Sequence, residues 1–210
     1  MKREALEWSG AQVEHTMTTI AILYFSGYGH TVKQAEALAA GVRLAGATPH
    51  LIRIPDTGDL TDADWTALDD AQAIVYGSPT YMGAPAWQFK KVADASSARW
   101  IGQAWRDKVA GGFTTSASTV GDKGETIAAF MTLSQQHGQV WVGPAVMPSN
   151  ALQNGPADLN WSGGSAGALA IARADASPDQ GYEGDMETAR LYGQRLATIA
   201  ATLAPARAAA

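Results

Sequence analysis

The sequence predicts an α/β protein built on a doubly wound parallel sheet of five strands in the order 2-1-3-4-5. Two observations carry this. Short apolar runs rich in β-branched residues alternate with helix-length segments of 3.6-residue periodicity. A chain of 210 residues with 46% hydrophobic and 17% charged residues, and no internal repeat, suits one folded domain with a full core.

The first strand is Thr19 to Phe25. A helix follows over about Thr31 to Leu44, with Val32, Ala35, Leu38, Ala39 and Val42 on one face, and Gly46 ends it. Thr48 to Ile54 supplies the second strand. The acidic stretch Asp56 to Asp70 holds a short amphipathic segment around Trp65 and Leu68. The third strand, Ala73 to Gly77, breaks into the loop Ser78 to Gly83, and a helix spans Pro85 to Ala95. Lys108 to Thr114 is the fourth strand, Thr115 to Gly124 a polar loop, Glu125 to His137 a helix and Gln139 to Val142 the fifth strand. A Gly/Ser/Asn-rich stretch, Pro144 to Gly167, precedes a last helix over Asp185 to Leu203, after which the Ala-rich end frays. The domain is therefore placed at residues 18–204, with residues 1–17 an N-terminal extension and 205–210 a tail.

Composition narrows the function. A formal net charge of -5 argues against a nucleic-acid surface. The absence of cysteine removes disulfides, thiol redox chemistry and Cys-based metal sites, so redox work falls to an organic cofactor. His15, His50 and His137 share no metal-ligand spacing, and no metal is expected. No apolar run has the length of a membrane span. Met1 to Trp8 is charged and mixed, without a signal peptide's apolar stretch, and the expected compartment is the cytoplasm.

In a doubly wound sheet ligands sit beyond the carboxyl ends of the strands. That rule selects three loops. In Ser26-Gly27-Tyr28-Gly29-His30-Thr31, two glycines let the backbone approach an anion, two hydroxyls add donors, and the following helix points its unpaired amides and positive dipole end at the same place. An ATP or GTP loop needs a Gly-Lys-Ser/Thr ending, and the first lysine after Gly29 is Lys33. A dinucleotide fingerprint needs glycine where Val32 stands. A phosphoacceptor aspartate is missing from the strand ends Phe25, Gly77 and Thr114. A hydroxyl-rich cradle without lysine fits the phosphate of FMN. Thr80-Tyr81-Met82-Gly83, after Pro79, offers amides and an aromatic ring for an isoalloxazine, and Thr115, Ser116, Ser118 and Thr119 offer hydrogen bonds to its pyrimidine edge. His30 reads equally as a helix-start residue or a proton donor. Trp65 and Trp105 read as structural.

Tyr24 to Thr31, Tyr76 to Gly83 and Gly112 to Ser116, in that order, resemble the flavodoxin-like NAD(P)H:quinone oxidoreductases of the tryptophan-repressor-binding protein type, close kin of the NADPH-dependent FMN reductases. The resemblance runs from about Thr18 to Ala201. It implies a flavodoxin-like fold, FMN as cofactor, NAD(P)H as co-substrate, ping-pong reduction of a quinone or similar acceptor, and a homodimer or homotetramer. By position, Ser26 to Thr31 would hold the phosphate region, Thr80, Tyr81 and Met82 would line the flavin, and the run Thr115, Ser116, Ala117, Ser118, Thr119, Val120 would hold its ring and ribityl chain. Tyr28 matches a residue near the nicotinamide and Trp100 one near the quinone. A histidine over the flavin falls at His137, or at Gln136 with a one-residue length difference.

The chain also departs from the family. Ala117, Val120 and Lys123 stand in a stretch usually rich in glycine, and Asn160 to Gly164 differs from the commoner pattern. The rival functions are a flavodoxin-type electron carrier, a flavin reductase that releases reduced FMN, and a non-redox regulatory protein reusing the fold.

Overall fold

A computed structural model describes residues 17–208 of the chain. The expected N-terminal extension lies, up to residue 16, outside the described residues. The elements run β1 Thr19–Tyr24, α1 His30–Leu44, β2 Thr48–Arg53, α2 Asp62–Asp70, β3 Ala73–Tyr81, β4 Ala84–Pro85, α3 Trp87–Ala95, α4 Ser97–Ile101, β5 Val109–Ser116, α5 Lys123–Gln136, β6 Val140–Trp141, β7 Ala168–Ile171 and α6 Glu183–Ala208. A short 3-10 turn, Pro178–Gln180, precedes α6.

The parallel sheet has the order β2-β1-β3-β5-β6, with β7 also on β5. This is the expected 2-1-3-4-5 arrangement with its last position shared. Val109 and Ala110 of β5 pair with β6, and Phe113 to Ser116 pair with β7. Residues 142–167 loop out between the two short strands. The fifth position of the sheet therefore extends beyond the expected Gln139 to Val142, its second half being Ala168–Ile171.

Central strands are apolar throughout because helices cover both faces. On β1, Ile20, Ile22 and Tyr24 enter the core beneath α1 and α6 with Leu38, Val42, Phe113 and Leu196. Ala21 and Leu23, with Phe25 just beyond, enter the opposite core with Leu68, Ile74, Tyr76, Phe89, Trp105 and Phe130. β2 is the edge, which is why Pro49 is tolerated within it. α1 and α6 cross at small residues: a Cβ on Gly41 would drive into the Arg190 carbonyl, and one on Gly193 into the Leu38 carbonyl.

Two boundaries near the strand ends differ from expectation. β3 continues through Thr80 and Tyr81 because they pair with β4 across a two-residue turn. Met82 (φ 49°) and Gly83 (φ 76°) are both left-handed, as a type I′ hairpin requires. β5 takes in Thr115 and Ser116 because β7 pairs with them. The last helix runs to Ala208, beyond the Leu203 end expected from sequence. α4 had no separate signal in the sequence.

Candidate active site

The carboxyl ends of β1, β3, β5 and β7 open on a cleft of about 640 Å³, within the range of small-molecule and cofactor sites. β1 connects outward to β2 and β3 lies on its other side, so the cleft sits where the strand order reverses.

The first loop is built to leave amides free. Gly29 holds the N-cap position of α1 at φ 92°, a conformation only glycine takes without strain, and no side chain caps the helix. Its first turn carries no acidic residue. α2 is the opposite case: Thr61 and Asp64 form a reciprocal capping box. The start of α1 therefore has neither a side-chain cap nor an acid in its own first turn, and it faces the cleft at His30 and Thr31. The turn is braced from outside. Ser26 Oγ accepts the Gly29 amide at 3.1 Å, and Arg53 Nη2 donates to the Ser26 carbonyl at 3.1 Å.

Buried hydroxyls tie the three loops together. Thr31 and Thr115 share a hydrogen bond at 3.1 Å. Thr80 Oγ1 meets Thr114 Oγ1 at 2.9 Å and Thr126 Oγ1 at 2.8 Å, and Thr114 donates to the Ser78 carbonyl at 2.6 Å. Lys123, only 1% exposed, holds the third loop from below. Its Nζ donates to Ser116 Oγ (2.9 Å), the Ser118 carbonyl (2.8 Å) and the Thr119 carbonyl (3.0 Å). Burial pushes the Lys123 pKa down, and the charge of Asp185 partly offsets this.

Aromatic rings stand at the mouth. Tyr28 is 79% exposed, and its ring meets Tyr81 edge-on with centroids 6.3 Å apart. Burial raises the Tyr81 pKa, with Tyr28 adding to the shift.

Of the residues singled out from sequence, Ser26, Gly27, Tyr28, His30, Thr31, Pro79, Thr80, Tyr81, Thr115, Ser116 and Ala117 line this one cleft. Gly29 shapes it through its backbone. Met82 and Gly83 form the hairpin tip, with Met82 fully exposed. Ser118 and Thr119 turn their carbonyls to Lys123, and Val120 projects outward. Ala172, Arg173, Ala174 and Ala176 complete the wall. Sequence reading missed them, although the apolar run Ala168–Ile171 marks a strand whose end must reach the same edge.

His137 and Trp100 are not in the cleft. α5 starts beside the third loop and spans 14 residues, about 21 Å at 1.5 Å per residue, so His137 lies at the amino-terminal end of the sheet. There it is 2% exposed, packs against Trp105 with the rings tilted by 37° and their centroids 4.4 Å apart, and shares a 2.9 Å hydrogen bond between Nε2 and Ser96 Oγ. Burial lowers its pKa. Trp100 belongs to α4 at that same end, next to Arg99, which pairs with Asp69 and lies over Trp65. Within one chain, the expectation that His137 donates to the flavin and Trp100 meets the quinone is corrected by this distance.

The residues present fit FMN. A Cβ on Gly27 would meet the Tyr81 hydroxyl at 2.6 Å and one on Gly29 would meet Pro178 Cγ at 2.6 Å, so the turn packs as bare backbone beside the uncapped start of α1, an arrangement suited to an anion such as a phosphate. The model of the NADPH-dependent FMN reductase family matches residues 20–153. The chain belongs to this family. It is an oxidoreductase of flavodoxin-like fold, with FMN as its cofactor and NAD(P)H as co-substrate. It is 44% identical over 183 residues to flavodoxin FldP of Pseudomonas aeruginosa, covering 87% of this chain and 97% of the relative. It is 33% identical over 201 residues to an NAD(P)H dehydrogenase (quinone) of Gluconacetobacter diazotrophicus, covering 89% and 99%. The crystal structure of a flavodoxin, WrbA-like protein from Agrobacterium tumefaciens is similar with a TM-score of 0.70 and 43% identity, covering 87% of this chain and 97% of that one. Among the described residues no helix is long and apolar enough to cross a membrane.

Proposed function

We propose that the chain is an NAD(P)H:quinone oxidoreductase that works by alternating occupation of one opening. The carrying observation is the uncapped start of α1 facing a single cleft whose other end is an exposed tyrosine pair. FMN, when bound, supplies hydride acceptance from the nicotinamide and return of two electrons to the acceptor.

The chain's residues then bind and orient. The amides of Gly27, Tyr28, His30 and Thr31 and the α1 dipole hold the phosphate. Thr80, Tyr81 and the Thr115–Val120 stretch hold the ring and ribityl chain. The edge-on Tyr28 and Tyr81 rings give a flat substrate an aromatic wall on which it stacks. With one cleft for both substrates, oxidised nicotinamide must leave before a quinone enters. Initial rates of NAD(P)H oxidation with benzoquinone, without partner protein, test this: parallel double-reciprocal lines support it, and intersecting lines refute it.

A flavodoxin-type electron carrier is the second reading, favoured by the relative named as a flavodoxin. Failure of benzoquinone to turn over with either nicotinamide, in protein that retains FMN, selects the carrier. A cytoplasmic homodimer or homotetramer completes the proposal. Trp87, Ile101, Met147 and Leu152 are exposed large apolar side chains that self-association would be able to cover.

A further inference from the structure

Building on the reading that the cleft holds FMN, we propose that Arg173 supplies the cation of the phosphate site. The first loop leaves that role open, since Ser26 to Val32 contains no lysine or arginine. Among the described residues that line the cleft, Arg173 is the one lysine or arginine, and none is a carboxylate.

The path of the chain after β7 brings it there. The Ala172 amide donates to the Ser116 carbonyl at 3.0 Å, so Arg173 emerges where β5 ends. One residue back on β5, Thr115 shares its hydroxyl with Thr31 in the first turn of α1. Beyond Arg173 the backbone arches along the start of α1. Pro178 packs over Gly29, and Asp179 pairs with Lys33 at 2.8 Å. Arg173 is thus carried between the end of β5 and the uncapped amino terminus of α1.

Arg173 Nε donates to the Tyr182 hydroxyl at 3.1 Å, and the Tyr182 ring stands edge-on to Trp161 at 6.4 Å. That contact uses one edge of the guanidinium and presents the two terminal nitrogens, whose fork matches phosphate oxygens. Ala172, Ala174 and Ala176 beside it add no polar side chain, which leaves the arginine as this segment's charged contact with a ligand. Asp175 is the nearby competing carboxylate, and Asp179 is engaged by Lys33.

The site is open to solvent, so the attraction is screened by salt. Apoprotein is titrated with FMN and with riboflavin, which lacks the phosphate, by flavin fluorescence at low and at physiological ionic strength. R173Q is expected to raise the FMN Kd about three- to tenfold at low salt, less at higher salt, and to leave riboflavin within about twofold. R173K falls between, keeping the charge and losing the fork. Thermal melts that match wild type show that the exposed substitution leaves the fold intact. Equal shifts for both flavins, or no shift for FMN, overturn the proposal. So does a variant whose sole defect is a raised KM for NAD(P)H, which assigns Arg173 to the dinucleotide. A wild-type protein that takes up neither flavin defeats the FMN reading itself, whereas wild-type uptake with an inert Arg173 defeats only this inference.

Discussion

Lys123→Met tests how the third loop is held. The ammonium makes three hydrogen bonds, to Ser116 Oγ and to the Ser118 and Thr119 carbonyls. Contacts of a charged donor are worth about 1.5–3 kcal/mol each. Burial of the charge opposes them, and the depressed Lys123 pKa is the mark of that opposition. Methionine fills similar volume without donors, and the freed carbonyls of exposed residues regain water. A net loss of about 2–3 kcal/mol is therefore expected rather than the full sum. For a domain of this size that is about 4–12 °C in Tm. Re-ordering even one freed loop residue on binding costs about 1–2 kcal/mol, or about five- to thirtyfold in FMN Kd. Circular dichroism melts of apoprotein and fluorescence titration with FMN read the two effects separately. A variant that melts within about one degree of wild type and binds FMN as tightly would show that the loop holds its shape without Lys123.

Gly41→Ala must push α6 away from α1, since the added Cβ meets the Arg190 carbonyl; urea denaturation is expected to show about 1–3 kcal/mol lost, and an unchanged midpoint contradicts the close crossing. His137, with its folded pKa below 6.5, binds fewer protons folded than unfolded between the two values. Stability therefore rises with pH through that window and is lost on acidification below about 6.5, and the slope disappears in His137→Gln when urea midpoints are compared from acid to neutral pH. Tyr28→Ala, at an exposed position, is expected to leave stability within about 0.5 kcal/mol while raising the KM for NAD(P)H about three- to tenfold; an unaltered KM removes Tyr28 from the substrate wall.

The fold was legible where local physics and tertiary context agree. Thr19 to Phe25 is apolar because both of its faces are buried, and Val32 to Val42 shows helical spacing because only one face of α1 packs. Ser26 to Thr31 was legible as a cradle because a glycine-bearing turn between a buried strand and a helix has few other uses. What escaped depended on partners distant in sequence. Ala168–Ile171 is a four-residue run that becomes a strand only by pairing with Phe113 to Ser116, and the wall residue Arg173 was lost with it. Thr80 and Tyr81 read as loop because two-residue β4 is too short to announce a hairpin. His137 illustrates the converse: a position carried over from a family placed it at the flavin, whereas within one chain the length of α5 sets it at the other end of the sheet.

The most direct test is the visible spectrum of the purified protein during anaerobic addition of NADH or NADPH, followed by benzoquinone. The expected result is one bound FMN per chain, bleaching of the flavin band by a nicotinamide with no partner protein present, and recovery of the band on adding the quinone. Protein that retains FMN and is bleached by neither nicotinamide contradicts it.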